Sequence, residues 1–134
     1  MMVPTRGSKR ASIDDIRQLA IIAARAADDK KAIDPLILYV GEVLVIADFF
    51  VIASATNRRQ VRTIADEIEA RLKVSGGVSP YRVEGLDDLT WVLLDYGDFV
   101  VHVFADESRR FYDLERLWRD VPRIEWRPAA VSPA

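Results

Sequence analysis

DFFVIASATNRRQVRTIADEIEARL, residues 48–72, changes its period halfway along. Its first part, DFFVIASA, is an apolar run without helical spacing, the pattern of a strand. Beyond it, Val61, Ile64, Ala65, Ile68 and Leu72 recur on one stripe of a helix, and Arg58, Arg59, Arg62, Asp66, Glu67, Glu69 and Arg71 fill the other faces. Asn57 stands at the junction as an N-cap, with Gln60 at the matching third position. Ser75, Gly76 and Gly77 stop the helix. A strand running straight into an amphipathic helix sets the class as α/β.

The rest of the chain extends that pattern in both directions. Upstream, Ser12 and Asp15 form a capping box, and Ile13, Ile16, Ala20, Ala23 and Ala27 recur at helical spacing, predicting a helix from about 12 to 29. Pro35 opens a first β-type run, LILYV, which Gly41 and Glu42 separate from DFFVIASA. Downstream come a short strand near YRVEG, then LTWVLLD and DFVVHVF joined by a turn. A last helix starts near Glu107 or Asp113. Phe111, Leu114, Leu117, Trp118 and Val121 are its expected core face, and Pro122 ends it. The expectation is a compact single-domain α/β fold: a mixed sheet of about five strands, with flanking helices that cover chiefly one face. Residues 1–11 read as a flexible tail carrying Pro4, Gly7 and the cations Arg6, Lys9 and Arg10, residues 12–121 as the domain, and 122–134 as a C-terminal extension.

Length and composition set limits on function. The chain has 134 residues, 50% apolar and 30% charged, enough for one real core. It has no cysteine, which removes disulfides, thiolate nucleophiles and cysteine-held metals. A net charge of −2 and a pI near 5.4 argue against broad capture of a phosphate backbone. An acidic protein can still reach a nucleoprotein particle by docking on one of its basic proteins. No apolar run is long enough to cross a membrane, and the basic start MMVPTRGSKR lacks the apolar centre of a secretory signal, so a cytoplasmic location is expected.

The stretch most suggestive of chemistry is LLDYGDFVVHVF, residues 93–104, which holds two aspartates and the single histidine. With Tyr96 and Gly97 as the turn, Asp95 opposes Asp98, Leu93 opposes Val100, and Trp91 opposes His102. Alternation then sorts Val92, Leu94, Phe99, Val101 and Val103 onto a core face. Trp91, Leu93, Asp95, Asp98, Val100, His102 and Phe104 share the other face, with two carboxylates at its tip. The spacing D-Y-G-D is wrong for a two-metal D-x-D pair, and one histidine is too few for a zinc hydrolase. No serine sits in G-x-S-x-G, and the Gly76–Gly77 pair follows a helix, so it cannot be a phosphate loop. No catalytic, cofactor or metal residues are therefore expected. His102 reads first as a structural residue packed on Trp91, and second as a partner contact. Trp91 reads evenly as core or as an interface anchor. Arg109 and Arg110 could bind phosphate, but salt bridges to Glu107 and Asp113 are the simpler reading.

The motifs DFFVIASATNRRQVRTIADEI, VEG, WVLLDYGDFVVHVF and ESRRFYDLERLW, spanning roughly 48–118 in that order, resemble the ribosomal silencing factor family, also called Iojap-like. The last contains E-x-R-x-F/Y-Y-x-L-E-x-L-W. The resemblance implies a nucleotidyltransferase-like fold without catalytic residues. It implies a non-enzymatic translation repressor that binds the large ribosomal subunit through its fourteenth protein. There it would block joining of the small subunit when nutrients run short. It also implies a homodimer, and no membrane or sequence-specific nucleic-acid partner. The docking surface it implies starts at Glu84 and Gly85 and runs along Trp91 to Asp95. Together with the face derived above, this gives Glu84, Gly85, Trp91, Leu93, Asp95, Asp98 and His102 as the expected interface. Two positions depart from the family pattern: Tyr39 stands where L-D-V is usual, and residues 53–57 replace T-G-x-S while keeping an N-cap at Asn57. The alternatives are a nucleotidyltransferase-like enzyme with relocated metal ligands and a plain dimeric scaffold.

Overall fold

The computed structural model describes residues 12–128. The proposed flexible tail, 1–11, and the last six residues lie outside them. Helix α1 spans Ile13–Asp29, and the Ser12 hydroxyl accepts from Asp15 N at its start. Strands β1 (Ile33–Tyr39) and β2 (Phe49–Ala55) follow, then α2 (Arg58–Gly76). Asn57 Oδ1 caps α2 by accepting from Gln60 N at 2.8 Å, and Gly77, at φ 67°, closes it in the left-handed conformation. Next come β3 (Arg82–Glu84), β4 (Trp91–Asp95) and β5 (Phe99–Ala105), the short helices α3 (Asp106–Tyr112) and α4 (Leu114–Leu117), and β6 (Arg123–Ile124).

The sheet order is β3-β4-β5-β2-β1-β6. β2 and β5 run parallel, and the other neighbours run antiparallel. A parallel pair needs a crossover, and α2 lies within the connection that supplies it. The sheet is mixed as expected, with six strands instead of five. β6 was missed because two residues are too few to show a period. Ile124 pairs with Ile37, and beyond it Trp126 is buried, its indole N–H donating to Pro35 O at 2.7 Å. The packed unit therefore continues through Trp126, inside the segment that reads from sequence as an extension.

Helices α1 and α2 cover one face. Ile16, Ala20, Ala23 and Ala27 of α1, with Val61, Ile64, Ala65, Ile68 and Leu72 of α2, pack on Ile37, Phe49, Val51, Val92, Leu94, Phe99, Val101 and Val103. Alanine along α1 lets that helix lie close to α2. The opposite face gathers Leu36, Leu38, Val40, Ile52 and Phe104, and is covered by Leu114, Trp118 and Val121.

The C-terminal helix departs from its sequence reading. It breaks at Asp113, at φ 49°, so its apolar stripe is split between two short pieces. Leu114 and Trp118 keep the sheet contact, while Phe111 and Leu117, expected in the core, are 81% and 73% exposed. Arg109 holds the break. It is buried, and its guanidinium donates to Ile33 O, Asp34 O, Ser54 Oγ and the Glu115 carboxylate at 2.8–3.2 Å. The expected partners Glu107 and Asp113 are not those it takes. Arg110 pairs instead with Asp106, one turn back on α3.

Candidate docking face

The β4–β5 hairpin carries the candidate site. Its register is Trp91↔Phe104, Leu93↔His102 and Asp95↔Val100, two residues from the expected pairing. A shift of two leaves every side chain on its predicted face, so Val92, Leu94, Phe99, Val101 and Val103 are all buried. Asp95 and Asp98 do not oppose each other. Tyr96 lies with the strand rather than in the turn: it is buried, stacks on Phe99 at 4.7 Å, and donates its N–H to Phe99 O at 3.0 Å. The turn falls at Gly97 and Asp98, with Gly97 at φ 85°. Alternation from Val92 and Leu94 already points Tyr96 at the core, a signal outweighed by the pull of the Tyr-Gly dipeptide as a turn.

Each expected interface residue has a definite place. Trp91 is half-buried, its ring 4.9 Å from Phe104 and 4.8 Å from Tyr112. Its indole N–H donates to His102 Nδ1 at 3.1 Å, so what it offers outward is ring area and not a donor. His102 lies beneath it, 5% exposed, with the Phe50 ring edge-on at 4.8 Å. Because Nδ1 accepts, the proton sits on Nε2, which is buried without a partner among the described residues. Burial drives the His102 pKa down to about 4, which keeps the ring neutral and acceptor-competent. His102 supports Trp91 and does not itself reach the surface.

Leu93 is half-buried beside Trp91. Asp95 Oδ1 accepts from Gly97 N at 2.8 Å, an Asx turn that fixes the hairpin tip. Its other oxygen lies 3.4 Å from Arg82. Arg82 also pairs with Glu84 at 2.8 Å, so the two outward carboxylates share one cation on the neighbouring strand. Asp98 sits at the tip and accepts on its backbone oxygen from Asp48 N at 2.7 Å. Gly85, at φ 91°, is required: a Cβ there would fall 2.0 Å from Trp91 O. It brings β3 tightly onto the start of β4 and so sets where Trp91 stands.

The structure adds residues that the sequence reading passed over. The β1–β2 connection carries Val45 and Ile46, 97% and 82% exposed. Between it and β4–β5 lies a groove of about 320 Å³, lined by Leu44, Ile46, Phe50, Leu93, Val100 and Asp95 among others. EVLVIA shows no polar alternation, the one signal that could have marked it. Arg82 was missed because its role depends on cross-strand register. Among the described residues, no three His, Asp or Glu side chains converge where a metal could sit.

The profile of the family described as "Ribosomal silencing factor during starvation" matches residues 13–133. The chain is 44% identical over 101 residues to the ribosomal silencing factor of Bacillus subtilis, covering 75% of this chain and 85% of that protein. A crystal structure of a Chromobacterium violaceum protein superposes with a TM-score of 0.72 at 34% identity, covering 81% of this chain and 88% of the other. A mouse protein named "Mitochondrial assembly of ribosomal large subunit protein 1" is 31% identical over 91 residues, 66% of this chain and 40% of its own length. The names of the bacterial relatives denote regulation of the ribosome and not an enzymatic reaction. The chain belongs to the ribosomal silencing factor family.

Proposed function

We propose that this protein represses translation by docking on the large ribosomal subunit through its fourteenth protein, where its bulk blocks the small subunit from joining. The carrying observation is the half-buried Trp91, held by His102 and Phe104 next to an open apolar groove on a sheet whose other face is closed. A half-buried aromatic with a rigid seat, flanked by apolar surface and rimmed by charge, has the composition of an interface centre. The mouse relative's name supports the large subunit as the partner. The choice of the fourteenth protein comes from the family resemblance, and Glu84 with Asp95 would face its basic surface. The cytoplasm is the place of action, and a homodimer of the free protein is the second expectation. Sedimentation with isolated subunits tests the reading: the protein travels with large subunits, not with small ones, and lowers the yield of joined ribosomes. Co-sedimentation with neither subunit sinks it.

A further inference from the structure

We infer that a second surface of this protein, the cationic patch of Lys30, Lys31, Arg58, Arg59 and Arg62, binds the phosphate backbone of RNA. Two segments distant in sequence build the patch. Gln60 Nε2 donates to Lys30 O at 3.1 Å and to Lys31 O at 3.3 Å, which ties the turn after α1 to the first turn of α2. All five cations are exposed. Of the carboxylates near them in sequence, Asp29 is taken by Arg71 at 2.8 Å and Asp66 by Arg62 at 3.2 Å. Lys30, Lys31, Arg58 and Arg59 make no ion pair among the described residues; the other carboxylates near them in sequence are Asp28 and Asp34, and Asp34 lies 3.6 Å from Arg109.

Such crowding is unfavourable within the chain itself. Like charges repel, and the first turn of α2 holds no acidic residue, where one would be stabilising. The arrangement is also local, because the whole chain carries a net charge of −2. Arginine and lysine spread over two adjoining turns fit a row of phosphates, which the planar guanidinium can grip through two N–H groups. An acidic peptide is the competing ligand. RNA is the better fit because the family acts on the ribosome, a particle whose surface charge is largely phosphate. The inference rests on that ribosome association and not on the Trp91 face. It refines the charge reading taken from composition: a chain of negative net charge still presents a positive site, one that recognises backbone and not sequence.

Binding of the full chain to a fluorescently labelled RNA duplex of arbitrary sequence, followed by anisotropy across a salt series, tests it. Engagement of three to four phosphates gives a log–log salt slope of about −3, roughly a 60-fold loss between about 50 and about 200 mM salt. Arg58→Gln with Arg59→Gln reduces the slope by about 2. Reversal of Lys31, Arg58 and Arg59 to Glu abolishes binding, with circular dichroism unchanged because all three are exposed. Trp91→Ala leaves RNA binding as it was, so failure of the docking reading and failure of this one are separable. Absence of duplex binding at low salt, an unchanged slope in the reversed variant, or competition by polyglutamate equal to that by RNA would each overturn the proposal.

Discussion

Beneath α1 and α2, Phe49, Val51, Val92, Leu94, Phe99, Val101 and Val103 are at most 1% exposed. On the opposite face Phe50, Trp91, Leu93 and Val100 stay half-buried, and Ile46 at the groove and its chain neighbour Val45 stand out in solvent. One sheet therefore has a face finished by its own helices and a face only partly covered. Two short helix fragments and one connection cannot do for the second what 17 and 19 residues of helix do for the first. A contiguous apolar surface left open on a stable scaffold marks an interaction site. The first face answers to folding, and the second is the face we propose for a partner.

The sharpest way to break this contrast is to damage the scaffold away from the groove. Arg109→Ala leaves Glu115 and two backbone carbonyls without their donor, and should cost about 3 kcal/mol or more of stability in chemical denaturation. Ile64→Ala, on the closed face, should cost about 2–4 kcal/mol, while the folded fraction still binds large subunits. A loss near zero for Ile64→Ala would mean that the α2 stripe is not the core it looks to be.

The closed face was legible in sequence because its signal is periodic. Val61 to Leu72 and Val92 to Val103 follow helix and strand spacing, and every one of those inward positions is buried. The open face was legible in outline, since a two-residue error in register does not change sides. What could not be read were features made by contact at long range. Arg109 reaches carbonyls of β1, 76 and 75 residues away. Arg82 splits its charge between Glu84 and Asp95 only because β3 pairs with β4. The left-handed break at Asp113 has no glycine to announce it, and it turned Phe111 and Leu117 from expected core into surface.

His102, buried beneath Trp91 on the open face, ties stability to pH. Its folded pKa lies near 4, below the unfolded value near 6.5, because burial disfavours the charged ring. The unfolded chain therefore binds more protons in that window. The stability His102 contributes is present above about pH 6.5 and is lost as pH falls toward 4, by about 2 kcal/mol between neutrality and pH 4.5. Denaturation of wild type and His102→Gln across this range isolates the effect: the wild-type curve falls more steeply on acidification. Parallel curves would mean that the imidazole is not buried as described. His102→Gln should keep most of the proposed block on subunit joining, since the glutamine carbonyl can accept from Trp91.

The smallest effect belongs to Asp95. Arg82 already shares its charge, so Asp95→Ala should weaken large-subunit binding by less than about 1 kcal/mol and flatten its salt dependence slightly. Asp95→Lys adds repulsion to both Arg82 and a basic partner and should be clearly worse than alanine.

The central claim, that the open face is the docking face, is tested most directly by the affinity of Trp91→Ala for purified large subunits. Circular dichroism would confirm the fold, and Ile64→Ala would serve as the scaffold control. Loss of the ring from a seated position at the interface centre should weaken binding by about 2 kcal/mol, roughly 30-fold, while folded Ile64→Ala binds as wild type. A folded Trp91→Ala protein that binds large subunits with wild-type affinity would contradict the account and place the docking surface elsewhere on the molecule.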